Sequence, residues 1–590
     1  MAQQPYQRPA TGIPGAGAGD DRLLVRQPVV VGKNWLRRPA TRRRTGLAVS
    51  ASTVPDPIRL ALDDRSRGWK VIDGARLTRD YLIECDVVIV GSGAGGGTAA
   101  EALTQAGLKV LMIEEGPFRS STDFRMRERD AYPQLYQESA GRQTRDKGIT
   151  ILQGRAVGGS TTVNWTSSFR TPPATLQHWE KSWGLSDYTV EHLAPWFEKM
   201  EARLSIAPWP VPPNENNDIL RRGCERLGIP AAAIRRNVKG CWNLGYCGMG
   251  CPTNAKQSML VTTIPDSLDR GLSLIHSARV ERLAQRYGRI SSLVARGMDS
   301  DGVSAGPWKI RVAAKHVVLA GGAINNPALM LRSALPDPHQ RLGKRTFLHP
   351  SAVCAAIMDN KVEAYSGAPQ TIYSDHFLDT LPHGGPMGFK LEAPPIHPIL
   401  AGITLPGFGA GHAAWMKRLP NLHVAIALMR DGFHPQSEGG NVAIRADGSP
   451  VLDYPISDYV WEGLRHALAV MTEIQFAAGA KIVMPLHEDA KPYRSWAEAR
   501  HAIGGLPMQT LRTRVASAHV MGGCAMGADA RDAVIRGDGR HHQIENLWVF
   551  DGSAFPTSIG ANPQLSIYGM VARNASRLAQ MLRKPDPRFA

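Results

Sequence analysis

The chain is poor in cysteine and has no long apolar run. Seven cysteines in 590 residues is a low, odd count, which excludes a disulfide framework. No stretch approaches the roughly 18–20 apolar residues that a bilayer-spanning helix needs. Aromatic residues make up only 7% and nowhere interleave with basic ones in a nucleic-acid-binding pattern, so nucleic acid is not expected as a partner despite a net charge of +17. Much of that charge is local. Residues 1–60 hold ten Lys or Arg against three Asp or Glu, in a Gly-, Pro- and Ala-rich segment that reads as a largely disordered tail to residue 74. Its Arg37-Arg38 and Arg42-Arg43-Arg44 clusters suit an acidic partner or lipid headgroups. The sequence after them, Thr45 to Ser52, is too short and weakly apolar for an export signal, so the expected location is cytoplasmic, with peripheral membrane contact.

Glycine and proline are plentiful, 59 and 42 residues, and the length calls for two or more domains. The most informative stretch is 86–114. An apolar run, Val87 to Val90, leads into Gly91-x-Gly93-Ala94-x-Gly96. A helical pattern then ends at Gly107, and a second apolar run, Val110 to Ile113, ends on Glu114. Gly91 permits a tight turn, Gly93 lets backbone N–H groups reach a pyrophosphate, and Gly96 lets helix and strand pack closely. The helix N-terminus supplies partial positive charge. Glu114 is spaced to accept from a ribose 2′-hydroxyl, which disfavours a 2′-phosphate. The ligand class is an adenine dinucleotide, with NAD and FAD both open.

Two further blocks narrow this. Gly154-Arg155-Ala-Val-Gly158-Gly159-Ser160-Thr-Thr-Val-Asn164 is a second glycine-rich loop, able to lie against a flat ligand. Ser517-Ala-His519-Val-Met-Gly-Gly is followed by Asp551-Gly552 and by Asn562-Pro563-Gln. Together the three blocks resemble the glucose–methanol–choline (GMC) oxidoreductase family, from about residue 80 to the C-terminus. The resemblance implies an α/β fold in which a Rossmann-like FAD-binding domain (75–170, 252–345 and 515–590) is interleaved with an antiparallel-sheet substrate domain (171–251 and 346–514). It implies FAD held by Gly91, Gly93, Ala94, Gly96 and Glu114, then by Arg155, Gly158, Gly159, Ser160 and Asn164. Val280, Asp551, Gly552, Asn562 and Pro563 complete the set.

The resemblance also implies that His519 and Asn562 are catalytic. A neutral imidazole suits removal of an alcohol proton while hydride leaves for flavin N5. Pro563 is expected in the first turn of the last helix, with Asn562 as its cap. Val163 stands where some members carry a flavin-linking histidine, so the FAD is expected to be non-covalent. Asn326 stands where Ser or Thr is usual. Cys241, Cys247 and Cys251, spaced C-x5-C-x3-C, suit either an iron–sulfur (3Fe-4S) cluster or buried structural thiols. The expected activity is FAD-dependent oxidation of a primary or secondary alcohol, with electrons passed to a cytochrome or quinone. An oxygen-using long-chain alcohol oxidase and a non-redox FAD-containing lyase are the alternatives.

Overall fold

The computed structural model describes residues 56–63, 67–299 and 302–583. The basic clusters of the N-terminal segment lie outside them. Residues 57–63 and 70–73, expected in the disordered tail, are regular secondary structure. Pro57–Asp63 is helical, and the strand Lys70–Asp73 pairs in parallel with Ser273–His276. Ile58 and Ala61 are buried, which explains the order.

The fingerprint folds as a β–α–β unit: β1 (Tyr81–Val90), α1 (Ala94–Gln105) and β2 (Val110–Ile113). β1 and β2 are parallel, with Val87 opposite Val110 and Val90 opposite Ile113. Val87, Val88 and Ile89 are fully buried, as a continuous apolar run predicts for a strand covered on both faces. On its other side β1 pairs with β3 (Ala305–Leu319), which also takes Leu547–Val549 in parallel. The first half of β3 turns antiparallel against Arg289–Met298, which continues to Ala278–Arg286. α1 begins Ala-Gly-Gly-Gly, a poor helix start costing about 1 kcal/mol per glycine. Close packing explains why they are there. A Cβ on Gly95 would lie 1.6 Å from the Phe550 carbonyl oxygen, and one on Gly96 would lie 2.0 Å from that of Gly91.

A second sheet is built around β4 (Ser351–Ile357), whose residues are all buried. It pairs antiparallel with Leu422–Met429, Ile482–Pro485 and Val515–Ser517, and Phe389–Glu392 lies beyond Leu422–Met429. Antiparallel strands therefore recur within 346–514. The 20-residue helix Asp458–Ala477, capped by Ser457, was not anticipated, and it buries Leu464, Leu468 and Met471 in the core of this sheet.

Two hydrophobic cores result. The segment 171–251 was expected to join the second. Its buried residues from Leu176 to Ile206 pack instead in the nucleotide-side core, as does Met249, and only Ile219, Leu220 and Cys224 join the other. The reason is the apolar stripe of Val190–Arg203: Leu193, Phe197 and Met200 are buried in the core that holds α2 (Gln564–Arg583), and Phe197 sits against Gly569.

Candidate active site

A cavity of about 910 Å³ runs between the two sheets. Gly91, Gly93, Ala94, Glu114, Arg155, Gly159, Ser160, Asn164 and Val280 all line it, as do His519, Asp551, Gly552, Asn562 and Pro563. Gly96 and Gly158 stand behind the lining. Gly96 packs on the Gly91 carbonyl, and the Gly158 N–H donates to Ser92 Oγ at 3.0 Å.

At one end, Gly91 has φ +101°, open only to glycine. A Cβ on Gly93 would meet nothing closer than Gly159 Cα at 3.8 Å, so this glycine leaves open space over the N-terminus of α1. No side chain caps that terminus, and its N–H groups are left for an anion. Glu114 accepts from Ser92 N (3.0 Å), Ser92 Oγ (2.7 Å) and Gly116 N (2.8 Å). A carboxylate offers about four lone-pair sites, so one remains, as a ribose hydroxyl requires. Burial pushes the Glu114 pKa up, against those three donors. Ser92, the variable residue inside Gly-x-Gly, ties the turn to the second glycine loop and carried no sequence signal.

Several predicted residues act differently from expectation. Arg155 is held by Glu115 (2.9 Å) and by the Gly302 carbonyl, so its guanidinium is committed within the protein. Ser160 Oγ accepts from Gly154 N at 2.9 Å and closes its own loop. Asn164 Nδ2 donates to Gln564 Oε1 at 2.7 Å. Asn562 does not cap α2. The Pro563 carbonyl accepts the first helical bond, from Ile567 N at 3.0 Å, so Pro563 sits at the cap position and frees the Asn562 side chain. Asp551 accepts from Gly322 N (2.7 Å), Asn326 Nδ2 (2.8 Å) and Ser553 N (2.9 Å). Asn326 Oδ1 also accepts from Gly321 N at 2.8 Å. The residue that departs from the family pattern thus bridges the loop after β3 to Asp551.

At the other end, Asn562 Nδ2 lies 3.5 Å from His519 Nε2 and 3.3 Å from Glu392 Oε2. Gln370 Nε2 also donates to Glu392. Asn562 Oδ1 is buried without a protein partner. The His519 ring meets His349 edge-on at 5.6 Å. Burial, then the charges of His349 and Lys390, push the His519 pKa down to about 3, so the imidazole is neutral near pH 7. Burial pushes Glu392 up to about 7, against Lys390 and the Asn562 hydrogen bond. Glu392 and Lys390 were missed. Their sequence signal was two opposite charges at i and i+2 in a short apolar strand, Phe389–Glu392, where both side chains are fully buried.

The three clustered cysteines are free, and no group of three His, Cys, Asp or Glu among the described residues is arranged to hold a metal. The cluster reading therefore finds no support. Instead Cys251 Sγ accepts from Lys256 N (3.5 Å), Cys241 Sγ from Asn243 N (3.4 Å), and Cys247 Sγ lies 3.8 Å from Arg236 Nη2. Buried Lys256 straps this segment to the second glycine loop: its Nζ donates to the carbonyls of Thr162 (2.9 Å), Asn164 (2.7 Å) and Cys247 (2.7 Å).

Fold and site together define a dinucleotide-binding α/β protein whose cofactor cavity ends at an imidazole–amide pair. Comparison with known proteins places it further. Residues 132–351 and 435–571 match the two GMC oxidoreductase sequence models, and 86–126 match an FAD binding domain. A GMC-type oxidoreductase of Mycobacterium tuberculosis is 33% identical over 492 residues, covering 83% of this chain and 75% of that protein. A long-chain-alcohol oxidase of Arabidopsis thaliana is 27% identical, covering 85% and 69% respectively. Pyridoxine 4-oxidase from Mesorbium loti shares the fold, with a TM-score of 0.62, 18% identity and coverage of 84% and 99%. The chain belongs to the GMC oxidoreductase family, and FAD is its cofactor. The open space over Gly93, the uncapped α1 terminus and the spare lone pair of Glu114 fit that cofactor.

Proposed function

We propose that the protein oxidises the CH–OH group of an alcohol with an apolar chain, using non-covalently held FAD and a non-NAD electron acceptor. The observation that carries this reading is the 3.5 Å pairing of His519 Nε2 with the Asn562 amide at the far end of the dinucleotide cavity from Glu114. FAD supplies a two-electron acceptor for hydride when bound. The chain's residues handle the rest. Neutral His519 takes the hydroxyl proton on Nε2. Asn562, held by Glu392, orients the same oxygen, and its unpartnered Oδ1 leaves hydrogen-bonding capacity at that point. The walls beside the second sheet are Val353, Ile396, Leu400, Val424, Ile426 and Leu428, which exclude water and suit a hydrocarbon chain. The name of the Arabidopsis relative, a long-chain-alcohol oxidase, agrees with that lining. Val163, at the cavity wall, offers no side chain for a covalent flavin link.

His519→Asn tests the reading. Turnover of a primary alcohol is expected to fall by about 10²–10⁴-fold, the usual worth of a general base, while visible flavin absorbance stays at one FAD per chain. Full turnover in that variant sinks the assignment. Comparing aerobic turnover with anaerobic turnover on a quinone or cytochrome c identifies the acceptor.

A further inference from the structure

We propose that the helical hairpin Pro398–Thr404 and Gly409–Lys417 docks the enzyme on an anionic lipid bilayer, beside the wall of the substrate cavity. The first helix has two distinct faces. Leu400 and Thr404, one turn apart, line the cavity. Ile399 and Ile403, also one turn apart, face outward with 40% and 62% of their surface exposed. Phe408, between the helices, is 92% exposed. The second helix, Gly-Ala-Gly-His-Ala-Ala-Trp-Met-Lys, buries none of its residues. His412 Nε2, 3.0 Å from the Gly402 carbonyl, joins it to the first.

Single exposed apolar residues are ordinary on protein surfaces. Three facts set these apart. They are grouped on one short hairpin, and that hairpin is also a wall of the substrate cavity. No acidic residue occurs anywhere between Glu392 and Asp431. The first charged residues after them in the chain are basic. Lys417 and Arg418 close the hairpin, exposed and without an ion pair among the described residues. At the other end, Glu128 accepts from Ile399 N (2.6 Å) and Leu400 N (2.8 Å). That bond ties the helix to the segment carrying Arg125 and Arg127, which are likewise exposed and without ion pairs among the described residues.

An apolar centre flanked by unpaired basic side chains, on a stretch of chain with no carboxylate of its own, complements an anionic interface: Ile and Phe enter the acyl boundary while Lys and Arg meet headgroup phosphates. A second copy of the chain is a poor occupant, because a two-fold contact would set the basic flanks against each other. No helix among the described residues crosses a bilayer, so contact would be at its surface. Docking stands on these features alone. Its benefit, direct entry of a poorly soluble alcohol, rests on the function proposed above.

The test uses the full-length holoenzyme and vesicles of phosphatidylcholine, with or without phosphatidylserine. Sedimentation is expected to show binding to the mixed vesicles. Binding should weaken about tenfold or more in Ile403→Asp/Phe408→Asp and in Lys417→Glu/Arg418→Glu. A short soluble alcohol should be turned over at the parent rate by all variants, and vesicle-borne hexadecanol more slowly by both. Parent-like vesicle binding in the variants overturns the proposal and points to the N-terminal arginines. So does absence of binding in the parent, or a parent dimer that the substitutions dissociate. Sedimentation needs no turnover, so failure to oxidise any alcohol would sink the functional reading and leave the docking result standing.

Discussion

Glu392 is the residue on which the site's pH behaviour turns. Its carboxyl is fully buried, bonded to Asn562 and Gln370, and raised to about 7. Above that value the carboxylate favours a proton on nearby His519, so base strength should grow. kcat/KM for an alcohol is therefore expected to rise through pH 7, and Glu392→Gln to remove that inflection and cost about tenfold at pH 8. Stability runs the other way. A carboxyl raised in the folded state stabilises below its unfolded value near 4.5, and that contribution is lost as pH rises through about 7. The Gln variant should thus gain relative to the parent between pH 5 and pH 8 in thermal melts. Identical profiles for the two proteins would mean that Glu392 does not titrate at the site. His519 was readable from its Met-Gly-Gly context and from Asn562. Glu392 was not, because its partners lie 22 and 170 residues away and meet only through the second sheet.

Among the elements, the two glycine loops show how much packing decides. The turn at Gly91, the second strand and the Gly107 end of α1 follow from local chemistry and are where the sequence puts them, whereas β1 begins six residues before the apolar run Val87–Val90, at Tyr81. The second loop was readable as flexible backbone against a flat ligand. What holds it in place was hidden: Ser92 from one side and Lys256 from the other. Lys256 is buried, and desolvation lowers its pKa to about 8. Lys256→Met would leave three buried carbonyls without a donor. We expect a loss of about 2–4 kcal/mol in denaturant titrations and weaker FAD retention on gel filtration. The cysteine segment is part of the same strap, so iron-free preparations should lose neither FAD nor stability. Asn326, at odds with the family pattern, holds the loop after β3 to Asp551 through hydrogen bonds on both sides of its amide.

For the whole molecule, burial of histidine sets the acid limit. Desolvation lowers His276, His316 and His541 to about 4, and His423 and His519 to about 3. Each is neutral in the fold and takes up a proton on unfolding below about 6.5, so stability should fall as pH drops from 6.5 toward 4. Glu392, Glu114, Asp551 and Asp379, raised by burial, oppose this but are fewer than the buried histidines. Thermal melts between pH 7.5 and 4.5 should show a monotonic decline, and a midpoint unchanged over that range would contradict these protonation states. The sequence by itself determined the β–α–β unit and a dinucleotide as its ligand, while the imidazole–amide pair was named only through the family resemblance. The unit and its ligand class rest on local causes: glycine's freedom at positive φ, apolar period and the chemistry of a few side chains. Only the tertiary structure decided which core residues 171–206 join, that Pro563 rather than Asn562 caps α2, and that Glu392 stands behind the pair. Those depend on which surfaces meet across hundreds of residues, and burial, not sequence spacing, sets the charge state of the groups enclosed there.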